Sequence, residues 1–207
     1  MIEFVLVEHS RLALHAAVIF AAGLFAAWPV VRFRLHGVAW LPRQTMRFVT
    51  ALMGRGPSIF RMTLIIFLFN SAVMFIQLAS GFHPFVPKLF GLWTGLNVGI
   101  MTFMTSPTEM PSLSTLPKHG WVPSPNVTVL SGLLVLALEL PCYWFTLAMG
   151  MTLGHEVQSG VFYTMAFSHR VRAYALIIVP ALLVSAAAEA VSIRGSVAHM
   201  KKNAEDT

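Results

Sequence analysis

Residues 127–153 read VTVLSGLLVLALELPCYWFTLAMGMTL, a run of 27 residues in which Glu139 is the one side chain charged at neutral pH. About 20 apolar residues cross a hydrocarbon core as a helix, so this run is a membrane span. A carboxylate near the middle of a bilayer costs roughly 2.5–3.5 kcal/mol on insertion scales, which directs Glu139 towards protein or water and away from lipid. Two residues on, Pro141 supplies no N–H to the carbonyl of Ala137 and crowds it, so a kink or break is expected beside the acid. Gly150 and Gly154 stand four apart and bare one helix face for a neighbouring backbone. An acid, a breaker and a smooth face so close together describe the interior of a helical bundle. Two readings of the run stay open: one tilted helix, or two half-helices meeting near Glu139 and Pro141, where freed backbone groups bind ions or substrates.

The rest of the chain has the same character. Hydrophobic residues make up 57% of it and charged residues 11%, against roughly 25% charged in a soluble domain. The mean hydropathy is +0.73. The expected fold class is therefore all-α: a polytopic transmembrane helical bundle of about five membrane-spanning helices, with an amphipathic interfacial helix. Residues 1–31 form an N-terminal segment and a first, uncleaved span at 12–31, in which His15 reads as a residue near the interface. Residues 62–193 form the core membrane domain, with spans at 62–81, 89–104, 127–153 and 173–193. A polar joint with Arg170 and Arg172 precedes the last span, and 194–207 is a polar, frayed tail.

Between the first two spans, residues 32–61 hold Arg32, Arg34, Arg43, Arg47, Arg55 and Arg61 and no acid. Phe48, Val49, Leu52 and Met53 recur there at helical spacing, as in an amphipathic helix on a membrane surface. This clustering excludes nucleic acid as the reason for the net charge of +6, because the positive-inside effect and contact with anionic membrane lipids explain it. With five alternating spans, Lys118, Arg194, Lys201 and Lys202 join that side, which then holds ten cations. The opposite side holds four: Arg11, Lys88, Arg170 and Arg172. The expectation is an external N-terminus and a cytoplasmic C-terminus, in the cell's inner (plasma) membrane.

Gly91, Gly95 and Gly99 line one face of the third span in steps of four, so a partner helix can approach closely, and Asn97 is expected to hydrogen-bond across that contact. The short link Phe82-His-Pro-Phe-Val-Pro87 makes the second and third spans antiparallel neighbours. Residues 105–126 hold Pro107, Pro111, Pro117, Pro123 and Pro125 and read as an ordered or partly re-entrant connection, with His119 and Trp121 at the interface. On the last span Ala181, Ser185 and Glu189 form a small face that ends in a second acid. Cys142, the single cysteine, reads as an inert packing residue. With no CxxC, no HExxH and no nucleophile–base constellation, no catalytic residue, cofactor or metal is expected.

Four segments together resemble the stage II sporulation protein M family of bacterial and archaeal membrane proteins. Glu139-Leu-Pro141 with Ala148, Gly150, Leu153 and Gly154 is similar to its Glu-Leu-Pro-Ala helix with trailing small residues. Trp93-Thr-Gly95-Leu-Asn97-Val-Gly99 resembles its aromatic-Asn-Gly-x-x-x-Gly pattern, and Phe67-Leu-Phe-Asn70 its Phe-x-x-Asn element. Val179-Pro180 through Glu189 looks like its closing helix with a late glutamate, so the likeness covers about residues 60–193. Val135-Leu136, Thr94 and Ser71 stand where the family tends to place a His-Gly pair and two further asparagines.

The resemblance implies a multi-pass scaffold or membrane-complex subunit without catalytic activity, working with other membrane or envelope proteins or as a homo-oligomer. It implies nothing about sporulation for this chain, since relatives also occur in organisms that form no spores. The other reading is a permease or channel subunit with a midplane site around Glu139 and Asn97.

Overall fold

The protein is described here by a computed structural model covering residues 2–54, 57–104, 122–160 and 164–205. These form α1 (Ile2–Arg32), α2 (His36–Met53), α3 (Ile59–Ala79), α4 (Phe85–Met104), α5 (Pro125–Gln158), α6 (Thr164–Ala173) and α7 (Val179–Glu205), with no strand among the described residues. Four stretches are long and apolar enough to cross a membrane: Ser10–Arg32, Ile59–Ala79, Pro125–Gln158 and Ser168–His199. The third expected span, α4, falls outside that set. Lys88, Thr94, Asn97 and three glycines dilute its hydropathy, and its glycine face lies against α1 while Leu89, Leu92 and Val98 stay exposed. Arg55, residues 105–121 with Lys118, His119 and Trp121, and the last two residues lie outside the described residues.

Of the two open readings of the run around Glu139, the structure has the single helix, 34 residues long. Ser124 caps its start by accepting from the Val127 N–H, Pro125 follows where no helical donor is needed, and the helix continues through Pro141. Beyond the proline, Cys142, Tyr143, Thr146 and Leu147 are all buried, so packing holds the turn whose hydrogen bond is missing. One expectation about continuity is corrected, around Arg170, Arg172 and Arg194. The polar joint is helix α6, and a π turn, Tyr174–Ile178, carries it into α7, which runs on to Glu205 where a frayed tail was expected. The π turn closes with the Val179 N–H on the Tyr174 carbonyl, just before Pro180, which has no N–H to give.

Pairwise contacts fix the directions. Ile19 lies at Gly91 and Ala27 at Gly99, so α1 and α4 run in parallel. Asn70 meets Glu139, and Gln77 meets Gly150, so α3 and α5 are parallel as well. Ser185 meets Glu139 and Gly195 meets Thr128, so α7 is antiparallel to α5. The start of α4 packs on Leu147, late in α5, which joins the two groups. The link from Ala79 to Phe85 reverses the chain, so α1, α4 and α7 run one way and α3 and α5 the other. Arg32, Arg34, Arg43, Arg47, Arg61 and Arg194 therefore share one end of the bundle, and Arg11, Lys88, Arg170 and Arg172 the opposite end.

The glycine face of α4 finds its partner in α1, not in α3, its neighbour in sequence. A β-carbon on Gly95 would strike the Phe20 carbonyl oxygen, and one on Gly99 would strike Ala27 and the Leu24 carbonyl. Gly23, on α1, answers them by lying against the Leu92 carbonyl and the Leu96 N–H. Two backbones touch along this line because both sides have dispensed with side chains. Asn97 does not bridge the contact: its amide donates to the Trp93 carbonyl of its own helix at 2.8 Å. Gly150 and Gly154 make a second close approach, to the Gln77 carbonyl and to Pro84, where α3 turns into α4.

Helix α2 crosses the end of the bundle. Ala39 packs with Ala27, Val30 and Ile100, and Met53 with Met62, Ile66, Ala186 and Ala190. The four residues expected on one apolar face are divided: Val49 and Met53 turn inward, while Phe48 and Leu52 are exposed.

Candidate functional site

Glu139 is the centre of a polar cluster held by three helices. From α3, the Asn70 amide donates to Oε1 at 3.2 Å. From α7, the Ser185 hydroxyl lies 3.5 Å from Oε2, longer than a strong O–H···O bond and close enough to orient on the carboxylate. One turn beyond Ser185 on α7, Glu189 is within electrostatic reach of Glu139. Nearby, Tyr174 in the π turn donates its hydroxyl to the Ser71 carbonyl at 2.7 Å and ties α3 to the last helix again. Asn70 and Glu139 are 69 residues apart in sequence, yet the fold brings them into a hydrogen bond. Pro141 follows half a turn after the acid on α5.

A chain of polar side chains continues from this cluster along α3 and α5. Tyr143, one turn after Glu139, sends its hydroxyl towards the Phe90 carbonyl at 3.5 Å and lies close to Thr94 and Gln77. Gln77 is fully buried, and neither atom of its amide group closes a hydrogen bond. A buried polar group left without a partner costs about 1–3 kcal/mol, and the nearest polar group to offset that cost is the Tyr143 hydroxyl. In the sequence Gln77 is only an interruption of an apolar span; its pairing face, seven residues after Asn70, is the one signal that could have found it.

A separate ion pair lies at the opposite end of the bundle from α2. Arg170 of α6 grips Glu156 of α5 with both terminal nitrogens, at 2.7 and 2.6 Å, and the arginine is buried. The two partners stand 14 residues apart on different helices, so no helical spacing in the sequence marks the pair. His15 makes a bond within its own helix, to the Arg11 carbonyl at 3.0 Å. Cys142 is buried and free. No group of three or more His, Cys, Asp or Glu side chains is placed to hold a metal ion among the described residues.

The remaining residues singled out in the sequence serve packing elsewhere. Gly91, Gly95 and Gly99 lie on α1 and Leu147, and Gly150 and Gly154 lie on the α3–α4 turn. Asn97 is on α4 and shares no hydrogen bond with the Glu139 cluster. The arrangement at Glu139 can do two things chemically: fix three helices to one another through a shared carboxylate, or offer two neighbouring acids to a cation. Comparison with models of known protein families, with curated proteins and with solved structures found no match.

Proposed function

We propose that this chain is a non-catalytic subunit of a membrane complex, a helical scaffold of the kind the likeness to the stage II sporulation protein M family implies, in the plasma membrane. The observation that carries this reading is the Glu139 carboxylate, whose two oxygens face Asn70 of α3 and Ser185 of α7. An acid committed to neighbouring helices is a structural clamp, and its cost in the bilayer is offset by the order it imposes on the bundle. The partners are other membrane or envelope proteins, or further copies of this chain.

Purification of the full chain in mild detergent, followed by mass spectrometry, tests the proposal. Stable co-purifying subunits, or a defined homo-oligomer, are expected. A solitary protein that moves ions when reconstituted in liposomes would overturn it. That outcome would favour a permease or channel subunit, a reading supported by the proximity of Glu139 and Glu189 and by the unsatisfied amide of Gln77.

The proposed orientation has the arginine-rich end in the cytoplasm and the N-terminus outside. The excess of Lys and Arg at the end that holds Arg32, Arg34, Arg43, Arg47, Arg61 and Arg194 supports it. Reporter fusions after Arg55 and at Thr207 should both read as cytoplasmic; an external signal from either would reverse the assignment.

A further inference from the structure

Helix α2 has two apolar faces, and the bundle uses only one. Ala39, Pro42 and Met53 are buried, joining α1 and α4 at one end of the helix to α3 and α7 at the other. On the other side, Trp40, Phe48 and Leu52 are 60%, 59% and 45% exposed. Spacings of eight and four bring these three to one side of the helix. Arg47 is exposed on that side and Arg43 is half-exposed at its flank.

The arginines are placed against their own interest. Arg43 and Arg47 are four apart on one helix, where like charges repel. Arg34, exposed just before α2, adopts φ 53, a left-handed conformation that favours glycine. Residues 32–61 contain no acid, and none of Arg34, Arg43 and Arg47 makes an ion pair among the described residues. An external anion is what this arrangement lacks. Since α2 connects the end of one membrane span, Arg32, to the start of the next, Ile59, it lies where lipid headgroups are. Arg61, the first cation of α3, pins it there by donating to the Leu52 carbonyl at 2.9 Å.

We propose that the outer face of α2 is a binding surface for anionic phospholipid headgroups of the adjacent leaflet. Arg43 and Arg47 take the phosphates through their planar, forked donors, with Arg34 contributing charge at the near end. Trp40, Phe48 and Leu52 rest at the boundary of headgroup and acyl chain, the depth that suits an indole beside aliphatic carbons. This surface is independent of the Glu139 cluster and of the scaffold reading.

The test uses the full chain in neutral detergent, titrated with phosphatidylglycerol, phosphatidylcholine or inorganic phosphate and read by native mass spectrometry. Wild-type protein should bind phosphatidylglycerol in clear preference to phosphatidylcholine. Inorganic phosphate should neither bind nor compete at the same concentrations. Each arginine near a charged surface contributes about fivefold in affinity, so the double variant Arg43→Gln/Arg47→Gln should lose at least about tenfold of the preference. Trp40→Ala/Phe48→Ala should weaken binding of both lipids alike. The preference should also collapse between about 0.1 and 1 M salt, a readout that needs no variant to fold. Equal affinity for the two lipids, full competition by inorganic phosphate, an unchanged preference in the arginine double variant, or a salt-insensitive preference would each overturn the proposal.

Discussion

The α1–α4 pair and the α3–α5–α7 group solve the same problem in opposite ways. Lipid tails are as apolar as leucine, so hydrophobic burial alone cannot tell one transmembrane helix which neighbour to choose. Between α1 and α4 the choice is made by shape. Gly23, Gly95 and Gly99 let backbone lie on backbone, with no polar side chain spent on the contact. Between α3, α5 and α7 it is made by polarity, through Asn70, Glu139, Ser185, Tyr174 and the unsatisfied Gln77. The first contact is stiff and intolerant of any added atom. The second tolerates changes of shape but not of hydrogen-bonding capacity. Substitutions should separate the two designs clearly.

The largest effect is expected at Gly95. Gly95→Leu must push α1 and α4 apart, because even a methyl group meets the Phe20 carbonyl oxygen. A loss of about 3 kcal/mol or more is expected, seen as failure to recover a monodisperse species from detergent. Leu92→Ala, whose side chain is 42% exposed on the same helix, should stay within about 0.5 kcal/mol of wild type. Wild-type recovery and melting of Gly95→Leu would show that the pair is not held by close backbone contact.

Glu139→Leu comes next. It strands the Asn70 amide and the Ser185 hydroxyl in an apolar interior, for a loss of about 1–3 kcal/mol in thermal unfolding. The same loss should appear in Asn70→Leu, and the double variant should lose less than the sum of the two, since they share one bond. Simple additivity would mean that the two residues do not act as a pair.

Glu139→Gln should be milder, within about 1 kcal/mol, because the amide keeps the shape and most of the hydrogen bonding. Cellular function should survive as well under the scaffold proposal. If the variant folds and assembles normally but function or ion flux disappears, the charge itself is required, and the permease reading takes precedence.

The smallest effect has the opposite sign. Gln77→Leu replaces an unsatisfied amide with an apolar group of similar size and should leave stability unchanged or raise it by about 1 kcal/mol. A clear loss in a melting experiment would reveal a partner for Gln77, such as an internal water shared with Tyr143.

Much of this contrast was legible along the chain. The steps of four at Gly91, Gly95 and Gly99 identify a packing face because helical periodicity is a local property. Glu139 had to face inward because its cost in lipid does not depend on which helix covers it. Glu189 stands out from the four-residue spacing of Ala181, Ser185 and Glu189, and Asn70 from its likeness to a family element, whereas the meeting of Asn70 and Ser185 at Glu139 follows from the directions of α3 and α7. The short link made α3 and α4 antiparallel neighbours but did not name the partner of the glycine face, which lies on α1, where Gly23 offers the matching gap.

By itself, then, the sequence determined that the chain enters a membrane as helices, which faces are smooth, and which polar groups cannot face lipid. These depend on composition, spacing and the transfer cost of single groups. The tertiary structure alone decided that α1 is the partner of α4, that Arg170 closes on Glu156, that α5 runs unbroken through Pro141, and that α2 turns Val49 inward and Phe48 outward. The physical reason is common to all four. Each is a choice among apolar or helical alternatives of nearly equal local energy, settled by a few atoms contributed from remote parts of the chain.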